Sequence, residues 1–354
     1  MGRWPELKTI RARGLAITRA KAASKENIDR YFQELEHILN KYNLSDKPHC
    51  IYNIDEKGVN FQHKPPNVVG RKDSKPPGIT SERSPTVTII GAGNALGTQI
   101  PPYLVFEGAR MNQCLIEGCS PGTAGTISKS GWSNSDIFKK YLREHFLLYA
   151  QGLSENQPIL LIYDGHKSHV SLSVIEWAKS QNIVILVLPA HCSHILQPLD
   201  VGCFGPLTRI LDNSCHKYMR EQREPINRYN IGKLACDAYV KALSPHNLKV
   251  SFEKAGICPL NKKCISDITL LPSSTFRTDN PDHQTEDTRS QTVSEDTTDT
   301  DNLRVTDDHD VGQIILADEP DVPNDDDDDT EDSTPTTMTT VTEAPIQKSP
   351  LEFF

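Results

Sequence analysis

PILLIYD (158–164) and IVILVLP (183–189) decide the fold. Each is an unbroken apolar run of strand length, the pattern of a strand covered on both faces. Between them SLSVIEWAKSQ (171–181) changes to helical spacing. Two buried strands joined through a helix form a β-α-β unit, so the pair is expected to run parallel. In a sheet of that kind the carboxyl ends of the strands are where sites form.

The neighbouring segments extend the sheet. HCIYNID (49–55), PTVTIIGAG (85–93) and PPYLVFEG (101–108) are short, β-branched or aromatic, and bounded by Gly or Pro. NSDIFKKYLREHFLLYA (134–150) reads as an amphipathic helix. Over residues 25–44 Ile28, Tyr31, Phe32, Leu35, Ile38, Leu39 and Tyr42 recur at spacings of three and four, which predicts a packing helix, with Ser24 as its N-cap. Residues 200–221 and 229–243 carry helical patterns as well. The class is therefore α/β.

After Pro272 the apolar periodicity stops. Ser, Thr, Asp and Pro dominate, and Asp325 to Asp329 are consecutive. Such a stretch cannot bury enough surface to offset its chain entropy, so a disordered acidic tail is expected. The apolar piece VGQIILA (311–317) inside it is a candidate partner-binding motif. The overall net charge of −9 hides two opposite halves. Residues 273–354 hold 23 acidic and 4 basic residues, whereas 1–272 hold 24 acidic and 34 basic. A basic body suits a polyanion through phosphate contacts, and ordinary solvated lysines and arginines explain it equally well. Lys8, Arg11, Arg13, Arg19 and Lys21, then Arg71, Lys72, Lys75, Lys139, Lys140 and Arg143, are the candidate phosphate contacts.

The chain has 9 cysteines and no CxxC pair, which reads as a reduced intracellular protein rather than a disulfide scaffold. No signal-peptide core and no run of about 18 apolar residues appears, so no membrane span is expected.

Three aspartates stand where a site would form. Asp55 ends HCIYNID, Asp164 ends PILLIYD, and Asp200 follows the next strand through AHCSHILQPLD. An ionised carboxylate near a buried strand end is costly unless it is paired or binds metal. Hard divalent cations take oxygen ligands from a few carboxylates, and two such ions suit phosphodiester cleavage. The bland alternative is that one or more of the three caps a helix or a turn.

Other constellations are weaker. Glu56 should point to the face opposite Asp55, which argues against a catalytic role. His166 and His169 follow Asp164 and are expected to order the loop near a metal site or to touch phosphates, against simple loop hydrogen bonding. Zinc on His191, Cys192 and His194 is disfavoured, because neighbours so close in sequence rarely converge and no second ligand pair exists. Gly91, Gly93 and Gly97 are followed by Pro101 and Pro102 instead of a helix, so they mark a turn between strands and not a dinucleotide loop. Ser168 and Ser193 lie near histidines but in no nucleophile elbow.

IYNIDEKGV, LLIYDGHKSHVS and LPAHCSHILQPLDVGCFGPL, in that order, resemble the DDE-superfamily endonuclease domain of pogo/Tigger/jerky-type transposases, relatives of centromere protein B. TVTIIGAGNALGTQIPPYLVFEG, GWSNSDIFKKYL and FEKAGICPLN are similar to the family's connecting and closing segments, so the resemblance covers roughly residues 4–262. It implies an RNase H-like fold: a mixed five-stranded sheet flanked by helices. It places Asp55 on the central first strand, Asp164 on the neighbouring fourth, and Asp200 at the start of a helix after the fifth. It further implies Asp55, Asp164 and Asp200 as catalytic, metal-binding residues, Mg²⁺ or Mn²⁺ as two ions, and DNA as the partner. Lys57 stands where many relatives carry Thr. The expected organisation is a helical lead-in (1–48), the endonuclease domain (49–262) and a disordered acidic tail (263–354), the tail being a candidate site for a protein partner. Oligomeric state is left open, and nuclear location is expected from the DNA substrate. The family's usual N-terminal helix-turn-helix region has no counterpart before the core, which suggests a partial gene product or a decayed copy. Three functions compete: a transposase or endonuclease, a domesticated and catalytically silent nuclear DNA-binding or chromatin protein, and a generic metal-dependent nuclease.

Overall fold

The computed structural model describes residues 14–62, 86–152, 157–165, 169, 171–274 and 314–315. All of them belong to one unit that ends at Ala317. Two helices open it, α1 (Ile17–Ala22) and α2 (Lys25–Lys41). The Ser24 side chain accepts from the Asn27 amide and caps α2 as its sequence predicts. Strands β1 (Ile51–Val59), β2 (Val87–Asn94), β3 (Gln99–Glu107) and β4 (Ala124–Ser128) follow. Helix α3 (Ser135–Tyr141) runs through a π-helical turn (Leu142–Phe146) into α4 (Leu147–Tyr149). Next come β5 (Ile159–Asp164), α5 (Leu172–Ser180), β6 (Ile183–Leu188) and α6 (Ser193–Leu196). A second π-helical turn (Leu199–Cys203) leads into α7 (Phe204–Gln222), α8 (Ile231–Ala242), α9 (Pro245–Lys254) and α10 (Asp267–Ser274). Ile314–Ile315 forms β7.

The strands lie in the order β4-β3-β2-β1-β5-β6-β7. β1, β5 and β6 are parallel, as the two apolar runs require, and β2 is antiparallel to both β1 and β3. The five strands from β3 to β6, flanked by helices, make the RNase H-like arrangement that the resemblance implies. The expected count of five is corrected by additions at both edges. β4 pairs parallel with β3, and its sequence AGTIS is mostly half-buried, so no apolar alternation announces it. β7, drawn from the candidate partner motif 311–317, pairs antiparallel with β6 in the register Ile185↔Ile315 and Leu186↔Ile314.

Side chains alternate across each strand, so the sheet is covered on both faces. On β5, Leu160 and Ile162 meet α2, whereas Ile159, Leu161 and Tyr163 meet α3 and α5. The α2 face continues along the sheet as Val59, Val87, Ile89, Leu104 and Phe106, which pack on α7 and α8. Two of the expected boundaries therefore move. Helix α2 shares a core with β1, β5 and β6 and is part of the fold, not a lead-in to it. Residues 263–274, assigned by sequence to the tail, form a 3-10 turn and α10, with Ile265 and Leu270 packed against the α2 cluster. The remainder of the expected tail, apart from β7, lies outside the described residues.

Candidate active site

β1 and β5 pair only over Ile51–Asn53 and Leu160–Ile162. Beyond that, β1 runs on to Val59 bonded to β2 alone. The two strands part just where their carboxylates begin. Asp164 is the last residue of β5, opposite Leu188. Asp55 does not end its strand, as the sequence suggests; it sits mid-strand opposite Gly91. Asp200 lies in the first turn of the π-helical segment and leads into α7. By alternation Asp55 and Asp164 share the face of the sheet that carries α2 and α7.

Two buried amides tie these elements together. Asn53 Nδ2 donates to the Ile162 carbonyl at 2.9 Å, and its Oδ1 accepts from the Leu199 amide at 3.1 Å. One side chain thus joins β1, β5 and the turn that carries Asp200. Gln197 Nε2 adds a bond to the Ile54 carbonyl at 3.3 Å. Neither residue was singled out from sequence, although a polar Asn two positions before Asp55 in an apolar strand is a legible signal. Gly202 completes the turn by close approach: a Cβ there would meet Ser251 Oγ at 2.1 Å.

The charges of Asp200 and Asp164 both act on Asp55. Asp55 is held well above the usual carboxylate range, first by burial and next by the charge of Asp200. Asp164 acts in the same direction, against the Glu56 amide and the Gln197 side chain. The Glu56 amide donates to Asp55 Oδ1 at 2.8 Å, while Oδ2 is buried without a hydrogen-bond partner. A buried carboxylate oxygen without a hydrogen-bond partner, acted on by two further carboxylates, is a set of donors whose chemistry suits a hard divalent cation. Among the described residues, no three acidic, His or Cys side chains stand close enough to enclose an ion already.

His169 joins the site from the loop after β5. Its Nδ1 lies 2.7 Å from Asp164 Oδ1 and its Nε2 lies 3.1 Å from Glu56 Oε1. The ring is buried and stacks on Phe138 of α3 at 4.3 Å between centroids. Burial pulls its pKa down, but hydrogen bonds to Asp164 and Glu56 and the charges of both outweigh it and push it up to about 9. His166 and Ser168 lie outside the described residues. Glu56, set aside in the sequence reading, does point away from Asp55, yet it reaches the site through His169.

The other candidates separate. Cys192 turns into the core, its thiol donating to the Ala22 carbonyl at 3.5 Å, and His191 is exposed with φ 61°, so the zinc reading has no geometry behind it. Gly91 and Gly93 are inside β2, and Gly97 takes φ 101° in the turn to β3, as a turn there requires. Lys57 Nζ lies 5.9 Å from the Phe204 ring centroid. Arg19 and Lys21 lie on α1, Lys139 and Lys140 on α3, and Arg143 in the turn beyond it, where Lys140 faces Glu144 at 3.8 Å. Lys8, Arg11, Arg13, Arg71, Lys72 and Lys75 lie outside the described residues. No helix among the described residues is long and apolar enough to cross a membrane.

Residues 84–252 match the family described as DDE superfamily endonuclease. The match contains Asp164 and Asp200 and begins after Asp55. A Cochliobolus lunatus protein named MFS-type transporter clz9 is 33% identical over 238 residues, 65% of this chain and 26% of that protein. The Homo sapiens protein named Pogo transposable element with ZNF domain is 27% identical over 156 residues, 44% of this chain and 10% of its own. The Homo sapiens Pogo transposable element with KRAB domain is 26% identical over 166 residues, 47% of this chain and 25% of its own. The chain thus spans about a quarter or less of these relatives. Among solved structures, the Mos1 Strand Transfer Complex aligns at 17% identity and a TM-score of 0.44, covering 78% of this chain and 70% of that one. The catalytic domain of Mos1 mariner transposase aligns at 14% and 0.33, covering 66% and 95%.

Proposed function

Residues 84–252 carry a DDE superfamily endonuclease domain of the pogo type, and from that premise we propose that the chain cuts the phosphodiester backbone of DNA at a divalent-metal site formed by Asp55, Asp164 and Asp200. The observation that carries this reading is Asp55, whose carboxyl is pushed up by burial and by the charges of Asp200 and Asp164 and whose Oδ2 is buried without a hydrogen-bond partner. Mg²⁺ or Mn²⁺, as two ions, would supply Lewis-acid polarisation of the phosphate and activation of the attacking oxygen. The protein's part is to keep the donors aimed. Asn53 and Gln197 lock the Asp200 turn to β1, and His169 holds Asp164.

The full reaction in this reading is cleavage at transposon ends followed by attack of a 3′-hydroxyl on target DNA, in the nucleus. The test is nicking of a supercoiled plasmid by the chain in Mn²⁺, with Asp164→Asn as control. Wild-type nicking that the substitution abolishes supports the reading. Equal nicking by both refutes the metal assignment. DNA retention in a gel shift without nicking by either would favour the silent, chromatin-type alternative.

A further inference from the structure

The connection from β3 to β4 lies against α8, and two cysteines meet there. Cys119 is half-buried, and its amide donates to the Ile116 carbonyl at 3.2 Å. A Cβ on Gly232 of α8 would stand 3.5 Å from the Cys119 Sγ. Cys236 is four residues further on, one turn along the same face of that helix, and is fully buried. Thr123 Oγ1 donates to Cys236 Sγ at 3.7 Å. Thr123 is itself tied to Ser120, the neighbour of Cys119, amide to carbonyl at 3.1 Å and hydroxyl to hydroxyl at 3.0 Å. One short loop thus brackets both sulfurs, and the Cys119 thiol donates to the Cys236 sulfur. With the Thr123 hydroxyl and the Ser120 amide, that bond holds Cys236 below the ordinary thiol value of 9.0, against burial and the charge of Asp237. Cys119 is pushed the other way, by the same bond and by burial, with the charges of Cys236 and Asp237 adding and that of Lys233 opposing. Elsewhere burial alone pushes a thiol up, as it does Cys192, to about 11.

We propose that Cys119 and Cys236 form a reversible disulfide by exchange with a small-molecule disulfide such as oxidised glutathione, fastening the β3–β4 connection to α8. All nine cysteines are free in the structure, so it shows the reduced form. Exchange needs one sulfur that the reagent can reach and a second, activated one beside it. Cys119 is the reachable sulfur and Cys236 the activated one. The Cys119 sulfur attacks one sulfur of the reagent, whose S–S bond breaks and releases one glutathione. The Cys236 sulfur then attacks the Cys119 sulfur of the mixed disulfide and releases the second. Two thiols are oxidised, one small disulfide is reduced, and the two thiol protons end on the two glutathiones. The bond closes a loop of more than 100 residues, which restricts the unfolded chain strongly. Gly232 is what lets the loop lie so close: a Cβ there would meet the Leu115 carbonyl oxygen at 2.6 Å.

The test equilibrates the full chain, without denaturant, with oxidised and reduced glutathione, then counts thiols by alkylation and peptide mass mapping. Two of the nine thiols should disappear into one bond between the peptides of Cys119 and Cys236, and dithiothreitol should restore them. The melting temperature of the oxidised chain should rise by about 5–10 °C. Cys236→Ser should stop half-way, with one glutathione held on Cys119. Cys119→Ser should leave Cys236 reduced, because nothing then carries the oxidant to a buried sulfur. No loss of thiols, a bond between other cysteines, or an unchanged or lower melting temperature overturns the proposal. So does a Cys236→Ser chain that holds no glutathione on Cys119, or oxidation of Cys236 without Cys119. Should Cys236→Ser fail to fold, Cys119→Ser, at a half-exposed position, serves as the control.

Discussion

At the scale of single residues, burial and charge act on the same few groups. Asp55 is desolvated against two like charges and keeps one oxygen without a partner. His145 shows the opposite case, a buried base whose ring nitrogen meets a backbone carbonyl. Its Nε2–H donates to the Pro101 carbonyl at 2.7 Å among the rings of Tyr103, Tyr141 and Tyr149. Burial lowers its pKa below the ordinary value of 6.5. The folded state therefore binds fewer protons than the unfolded one under mild acid. The stability that neutral His145 contributes is complete above pH ~6.5 and is lost as pH falls through the folded value. Urea denaturation between pH 8 and 5 should cost the wild type more stability than His145→Gln, whose amide still donates to Pro101. Parallel losses in both proteins would contradict this. Asp55, Asp164 and Asp200 stood out as candidates in the sequence because each follows an apolar run directly or through a short loop. Glu56 did not, because alternation reports the face a side chain takes and says nothing of what a later loop brings to that face.

At the scale of elements, the π-helical turn Leu199–Cys203 is what carries Asp200 to β1. It is held by Asn53 and lies against α9 through Gly202. A Cβ on Gly202 would come within 2.1 Å of Ser251 Oγ and 3.3 Å of the Ser251 Cα. Gly202→Ala should therefore push the turn off α9. The expected cost is about 1–3 kcal/mol by chemical denaturation, with weaker Mn²⁺ binding because Asp200 moves with the turn. Adding Ser251→Ala should recover part of both losses, since the hydroxyl is the nearest obstacle. Full stability of Gly202→Ala alone would show that the contact yields. The helical spacing of 200–221 was plain in the sequence; the tight approach of one glycine to α9 was not, because it depends on an element over 40 residues downstream.

At the scale of the whole molecule, the body extends further at its carboxyl end than composition suggests. Apolar periodicity fades before α10, yet Ile265 and Leu270 pack on the α2 cluster and α10 lies against α1. A chain ending at Lys262 should be less stable than one ending at Ser274 by about 2 kcal/mol, which is ~4–8 °C in melting temperature. Equal melting temperatures would place the true boundary where the sequence put it. What the sequence determined alone is the parallel β-α-β unit and the mixed sheet around it, and it offered Asp55, Asp164 and Asp200 as candidates, because apolar runs and the words around the carboxylates are local properties. What only the tertiary structure decided is how those aspartates are served. β1 parts from β5 after Asn53 and continues past Asp55, Asn53 clips the Asp200 turn, and Glu56 meets Asp164 through His169. Each of these joins residues over 100 positions apart, and no local pattern records such pairings.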